Sequence, residues 1–244
     1  MSDRLAIALA QLNPVMGDID GNLARARAAR AEAHKQGADL VLFSELFVTG
    51  YPPEDLVLKP AFQNDAMESM KALARDTQSG PAILIGTPWV KDGALYNAIA
   101  YLDAGEIKGL TFKADLPNYG VFDEKRVFKP GPMPGPLNMR GVRIGVPICE
   151  DIWGPDPVEC LSETGAEILL VPNSFVLNAD RRLAVQLPSW EEAVVLTHWR
   201  RENGVWLCEP GPMAEVEDTE TTLYSAMMLG LRDYVNKNRF PGVV

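Results

Sequence analysis

Three side chains in this 244-residue sequence have complementary chemistry for opening an amide: the Glu45 carboxylate, the Lys113 ammonium and the Cys149 thiol. A thiolate is a strong nucleophile towards an amide carbonyl, and a carboxylate can take its proton. An ammonium can stabilise the tetrahedral oxyanion and help ammonia leave. Taken singly, the three identify nothing, because an isolated cysteine is usually inert packing and a lone glutamate or lysine pairs or is solvated. Their placement is more informative. Each follows an apolar run of strand character: residues 40–44 before Glu45, 107–112 before Lys113 and 142–148 before Cys149. Sites in α/β proteins gather at the carboxyl ends of strands, so three strands can aim these groups at one point. Only two histidines occur, His34 in a predicted helix and His198 after the strand-like run 193–197. A cysteine hydrolase built from this chain therefore needs a base other than histidine, which again selects Glu45. Cys149, Cys160 and Cys208 have no metal-ligand spacing, so no metal site is expected.

The elements that would hold these groups alternate in type. Residues 5–12 form a small/large apolar run suited to a strand buried on both faces. A helix over 23–36 is expected to be capped by Asn22 and stopped by Gly37, with a strand at 40–43 and a loop forced by Tyr51-Pro52-Pro53. A helix at 62–74, a strand at 82–86 and a hairpin of 97–102 with 107–112 follow. The run 129–136, rich in proline and glycine, reads as a rigid surface loop. Strands at 142–148 and 168–171 flank a helix near 157–164. This alternation predicts an α/β layered sandwich. Residues 209–220 read as an acidic linker. Beyond them Leu223, Met227, Leu231 and Tyr234 recur at helical spacing, with Thr221 or Thr222 as cap. That helix could dock on the domain's own core or open a further domain, and residues 240–244 resemble the start of a strand.

The composition excludes several classes of function. A net charge of −10 argues against nucleic acid or an anionic membrane as partner. No apolar stretch is long enough to span a bilayer, and the first residues lack the features of a signal peptide. Three cysteines without framework spacing suit reduced thiols in the cytoplasm.

The residues around the three reactive groups carry a resemblance. Leu42-Phe43-Ser44-Glu45-Leu46-Phe47-Val48-Thr49-Gly50-Tyr51 resembles the glutamate segment of the nitrilase, or carbon–nitrogen hydrolase, superfamily. Lys113-Ala114-Asp115-Leu116-Pro117-Asn118-Tyr119, running on to Arg126, resembles the lysine segment of its glutamine-dependent NAD synthetase branch. Ile148-Cys149-Glu150-Asp151-Ile152-Trp153 is similar to that branch's nucleophile segment, and residues 224–234 to the first helix of its synthetase domain. The resemblance implies a four-layer α-β-β-α nitrilase-like sandwich over residues 1–208, the linker, and the start of a truncated ATP-dependent synthetase domain at 221–244. It implies hydrolysis of glutamine through a thioester on Cys149, with Glu45 as base and Lys113 as cationic stabiliser. Ammonia would pass to a synthetase domain that amidates nicotinic acid adenine dinucleotide to NAD. Glu124 would orient Lys113, and Tyr51, Tyr119, Glu150 and Trp153 would line the glutamine pocket. The family also implies a homo-oligomer. No cofactor is expected in the glutaminase portion. ATP and Mg2+ belong to the synthetase domain, whose ATP-binding loop falls outside these 244 residues.

One internal departure stands out. Residues 169–174 resemble a strand leading to a substrate-binding loop, but residues 175–180 resemble a hairpin strand that the family places much later. A segment is therefore expected to be missing between Ser174 and Phe175, leaving core uncovered and glutamine hydrolysis weak. Alternatives are a free-standing hydrolase of another small amide and an inactive fragment. Replacing Glu45 by Gln or Lys113 by Ala is expected to abolish turnover and leave the fold intact.

Overall fold

The computed structural model describes residues 3–173 and 183–242. Strand β1 (Arg4–Gln11) lies between β2 (Leu40–Leu42), to which it is parallel, and β9 (Ala193–Glu202), to which it is antiparallel. Beyond β2, the strands β3 (Ala82–Lys91), β4 (Ala94–Asp103) and β5 (Glu106–Phe112) continue outward, and β10 (Val205–Cys208) closes the other edge. This gives a seven-stranded sheet ordered β10-β9-β1-β2-β3-β4-β5. A second sheet has three strands, β6 (Leu137–Met139), β7 (Val142–Gly145) and β8 (Ile168–Leu169).

Four layers result. Helices α1 (Ile19–Lys35) and α2 (Pro60–Arg75) cover one face of the large sheet, where Ala26, Ala29 and Ala33 let α1 lie close against Ala8, Val41 and Ile83. The opposite face packs on the small sheet through Ile7, Leu40, Leu84, Ile99, Ile144 and Ile168. Outside the small sheet lies α4 (Pro155–Glu163), whose buried Leu161 packs at Gly145, the residue that alternates with inward-facing Ile144. The α-β-β-α order expected from the sequence is therefore observed.

The differences are local and have physical causes. Helix α1 begins four residues early because Asp18, not Asn22, caps it by accepting from Gly21 N at 3.0 Å. Asn22 is instead buried, where its side chain satisfies Val15 and Val48 backbone groups. Gly37, at φ +85°, ends the helix as expected. β3 runs to Lys91, well beyond residue 86, because its partner β4 is ten residues long. β7 stops at Gly145, short of residue 148: Pro147 has no N–H to donate, and β8 offers only two residues for pairing. His198 lies within β9 and not after a strand.

The last helix, α5 (Thr219–Lys237), is capped by Asp218, which accepts from Thr221 N, and neither Thr221 nor Thr222 is the cap. It buries no side chain, so it does not dock its apolar stripe on the domain core; Leu223, Met227, Leu231 and Tyr234 are all exposed. Polar tethers hold it instead. Lys237 Nζ donates to Asn13 Oδ1 at 2.6 Å, and Asn13 Nδ2 donates to Asp233. Residues 240–242 form no strand; Val243, Val244 and the junction at Ser174–Phe175 lie outside the described residues. No described helix is long and apolar enough to cross a membrane, and no described group of acidic, histidine or cysteine side chains is arranged to hold a metal.

Candidate active site

Four predicted residues meet at one end of the sandwich. Glu45 lies just past β2, in a tight turn where Leu46 takes a positive φ of 48°. β3 presses directly against this turn, and only glycine permits that approach. A Cβ on Gly86 would lie 2.1 Å from Leu46 N and 2.5 Å from Ser44 O. Backbone bonds from Gly86 N to Ser44 O and from Val48 N to Gly86 O fix the turn to the strand. Lys113 follows β5 immediately and is fully buried. Glu124 opens the short helix α3 (Glu124–Val127) and turns inward, while Arg126 on the same helix pairs outward with Glu54, Asp55 and Asp123.

Cys149 is reached along the extended residues 146–148 and starts a single 3-10 turn, Cys149–Ile152. Its φ of +46° is a left-handed conformation that costs a non-glycine residue about 1–3 kcal/mol. Cys149 N donates to Pro172 O at 3.0 Å, which anchors the turn. Asp151 does more: its buried carboxylate accepts from Ala114 N (3.0 Å), Asp115 N (2.8 Å) and Ile148 N (2.9 Å). The segment after Lys113 and the residue before Cys149 thus share one clamp. The sequence showed Asp151 only as part of a motif.

The electrostatics follow from burial. Lys113 Nζ donates to Glu45 Oε1 at 2.7 Å and to Glu124 Oε1 at 2.8 Å, forming a dry ion triplet. Burial alone pulls the ammonium down, but the two carboxylates outweigh it and hold Lys113 above the ordinary lysine range. Burial raises Glu45 above the usual carboxylate range against the opposing charge of Lys113. The Cys149 thiol is pushed up to about 12, first by burial and then by the Glu45 charge. The resting proton therefore sits on sulfur, beside a carboxylate made more basic than normal, and attack requires transfer of that proton as the bond forms.

Of the four residues expected around the pocket, Tyr51 adjoins the ion triplet, and Tyr119, Glu150 and Trp153 lie nearer the surface. Tyr51 is partly buried and its O–H donates to Glu124 Oε1 at 2.9 Å. Tyr119 O–H donates to the Glu150 carboxylate at 3.0 Å near the surface, and Trp153 is 66% exposed. Asn97, on β4, was not singled out from the sequence, yet it lies within the triplet. Its Nδ2 donates to Glu45 Oε1 at 2.8 Å and approaches Glu124 Oε2 at 3.4 Å.

Comparison with known proteins identifies the family. The family model for carbon-nitrogen hydrolases matches residues 6–228. A glutamine-dependent NAD(+) synthetase of Rhodobacter capsulatus is 40% identical over 288 aligned positions, covering all of this chain and 52% of the relative. The chain thus spans about half the length of the curated relatives it matches end to end. With the whole chain aligned, 288 positions exceed its 244 residues by 44, so at least that many positions of the relative have no counterpart in this chain. The solved glutamine-dependent NAD+ synthetase of Acinetobacter baumannii, in complex with ADP, superposes with a TM-score of 0.89 at 30% identity, covering 98% of this chain and 53% of that one. A mutant of the amidase from Nesterenkonia sp. AN1, showing the result of Michael addition of acrylamide at its active-site cysteine, superposes with a TM-score of 0.59 at 28% identity, over 69% of this chain and 66% of its own.

Proposed function

The chain belongs to the carbon-nitrogen hydrolase family, and on that premise we propose that it is a glutaminase portion that hydrolyses the glutamine side-chain amide through a thioester on Cys149. The observation that carries this reading is that a fully buried Lys113, bonded to Glu45, lies on a segment joined to the Cys149 turn through the Asp151 carboxylate. The sulfur attacks the amide carbon as its proton passes to Glu45. Lys113, fixed between two carboxylates, faces the negative charge that develops on the carbonyl oxygen. Collapse of the tetrahedral intermediate breaks the C–N bond, and Glu45 returns its proton to the departing nitrogen, releasing ammonia. Water then attacks the thioester with Glu45 as base, giving glutamate and regenerating the thiol.

Ammonia would pass to a synthetase domain that amidates nicotinic acid adenine dinucleotide at the expense of ATP with Mg2+; the glutaminase chemistry itself needs no cofactor. Similarity over nearly the whole chain to named NAD synthetases supports this choice over a free-standing amidase, as does the exposed apolar stripe of α5, which a free-standing enzyme would not need. The test is ammonia release from glutamine and from a panel of small aliphatic amides, by the parent and by Cys149→Ala. Release from glutamine that is lost in the variant supports the reading. Release only from other amides would favour a free-standing amidase, and unchanged release in Cys149→Ala would overturn the nucleophile.

A further inference from the structure

We infer that Asn97 is a positioning residue for the base: its side-chain amide donates to Glu45 Oε1 and holds that carboxylate in its orientation and in the ionised form that accepts the Cys149 proton. The inference rests on the reading of Glu45 as base to Cys149. Asn97 is 1% exposed, at the centre of β4. Its Nδ2 carries two hydrogens and faces two carboxylates, Glu45 Oε1 at 2.8 Å and Glu124 Oε2 at 3.4 Å. Its backbone carbonyl also accepts from Lys113 N at 2.9 Å, so one residue touches all three members of the ion triplet. The amide orientation is dictated by these neighbours, because turning it over would set an oxygen against two anionic oxygens.

The cost of this arrangement indicates what it does. Asn97 Oδ1 is buried without a partner among the described residues, a loss that a purely structural strand residue would avoid by being apolar. What the amide supplies in return is a neutral donor. Two buried carboxylates share one ammonium here, leaving an excess negative charge that a further donor offsets without adding another ionisable group. Lys113 Nζ and Asn97 Nδ2 both donate to Glu45 Oε1, so the two donors together fix how the carboxylate is turned. Aspartate at 97 would have nearly the same shape, but it would replace the donor with a third carboxylate.

The test reads the thiol directly and does not depend on glutamine turnover. In a background with Cys160 and Cys208 replaced by serine, the rate of Cys149 alkylation by a small haloacetamide is followed against pH. Glu45→Gln serves as the reference. Asn97→Leu is expected to move the acid limb of the profile upward by about one to two pH units, the effect of removing one hydrogen bond to a charged group. Asn97→Asp is expected to move it further. Melting temperatures identify the variants that remain folded. A second measurement, on the parent alone, covers the case in which neither variant folds. The Asn97 side-chain amide resonance is expected to titrate with the same midpoint as alkylation and to stop doing so in Glu45→Gln. A folded Asn97→Leu with an unmoved acid limb, or an Asn97 resonance that does not titrate, would overturn the inference. If Glu45→Gln left the parental profile unchanged, the role of Glu45 itself would fall, and this inference with it.

Discussion

Replacing Lys113 by alanine is expected to weaken the fold as well as the chemistry, contrary to the expectation from sequence that it would spare the fold. The side chain is fully buried, and among the described residues its ammonium pairs with Glu45 at 2.7 Å and Glu124 at 2.8 Å. Truncation leaves two carboxylates facing each other with no cation between them. Removing one partner of a buried ion pair typically costs about 3–5 kcal/mol, a large part of a domain margin of roughly 5–15 kcal/mol. At about 2–4 °C per kcal/mol for a chain of this size, the melting temperature should fall by roughly 6–20 °C. The sign of the pH dependence identifies the cause. Glu45 is already raised by burial, and loss of the Lys113 charge, which opposes that rise, raises it further. A group raised in the folded state contributes stability below its unfolded value, near 4.3, and loses it as pH climbs through the folded value. The deficit of Lys113→Ala should therefore be small at pH 5 and large at pH 8, and Lys113→Ala/Glu45→Gln should recover part of it. Thermal denaturation followed by circular dichroism at the two pH values checks this. A variant melting within about 2 °C of the parent at pH 8 would refute the reasoning, as would a deficit equal at both pH values.

Activity should fall on the acid side through a midpoint above the ordinary glutamate range, since the raised Glu45 must be ionised to act. A pH–rate profile should show no alkaline loss attributable to Lys113, which is held above its usual range. A glutamine-derived electrophile should label Cys149 in peptide maps although Cys160 and Cys208 are the more exposed thiols; label on either of those would remove Cys149 as nucleophile. Gly86→Ala should displace the Glu45 turn and lower turnover by about a hundredfold or more, because a 1 Å misplacement of a catalytic group costs that much; unchanged turnover would show that the turn tolerates the shift. The isolated chain should associate or aggregate and hydrolyse glutamine slowly, since among the described residues three strands face seven and Leu169, Val205 and Leu207 stand exposed. A monomer turning over at about 1 per second or faster would contradict this.

Glu45, Lys113 and Cys149 were legible because each stands at the end of an apolar run, and such runs report burial faithfully. The same signal overreached at residues 146–148, which are buried without being paired: apolarity cannot distinguish a strand from an extended segment crossing the core, although Pro147 marked the limit. Capping was misjudged between Asp18 and Asn22 because both side chains suit a helix start, and only the tertiary pull of Val15 and Val48 on Asn22 decides. Asn97 was invisible because a polar residue in the middle of a strand gives no sign of what lies across the fold. Gly86 carries no local signal of its constraint, which is the close approach of the turn at Ser44–Leu46 from far earlier in the chain.

The Asp151 clamp has a consequence for how this site fails. Three backbone N–H groups from two separate segments end on one carboxylate, so the Lys113 segment and the Cys149 turn cannot drift independently. Disturbance of either displaces both, and the separation of nucleophile and cation is inherited from the clamp and not renegotiated with each substrate. Loss of the clamp should therefore displace nucleophile and cation together, whereas a shift confined to the Glu45 turn moves the base alone.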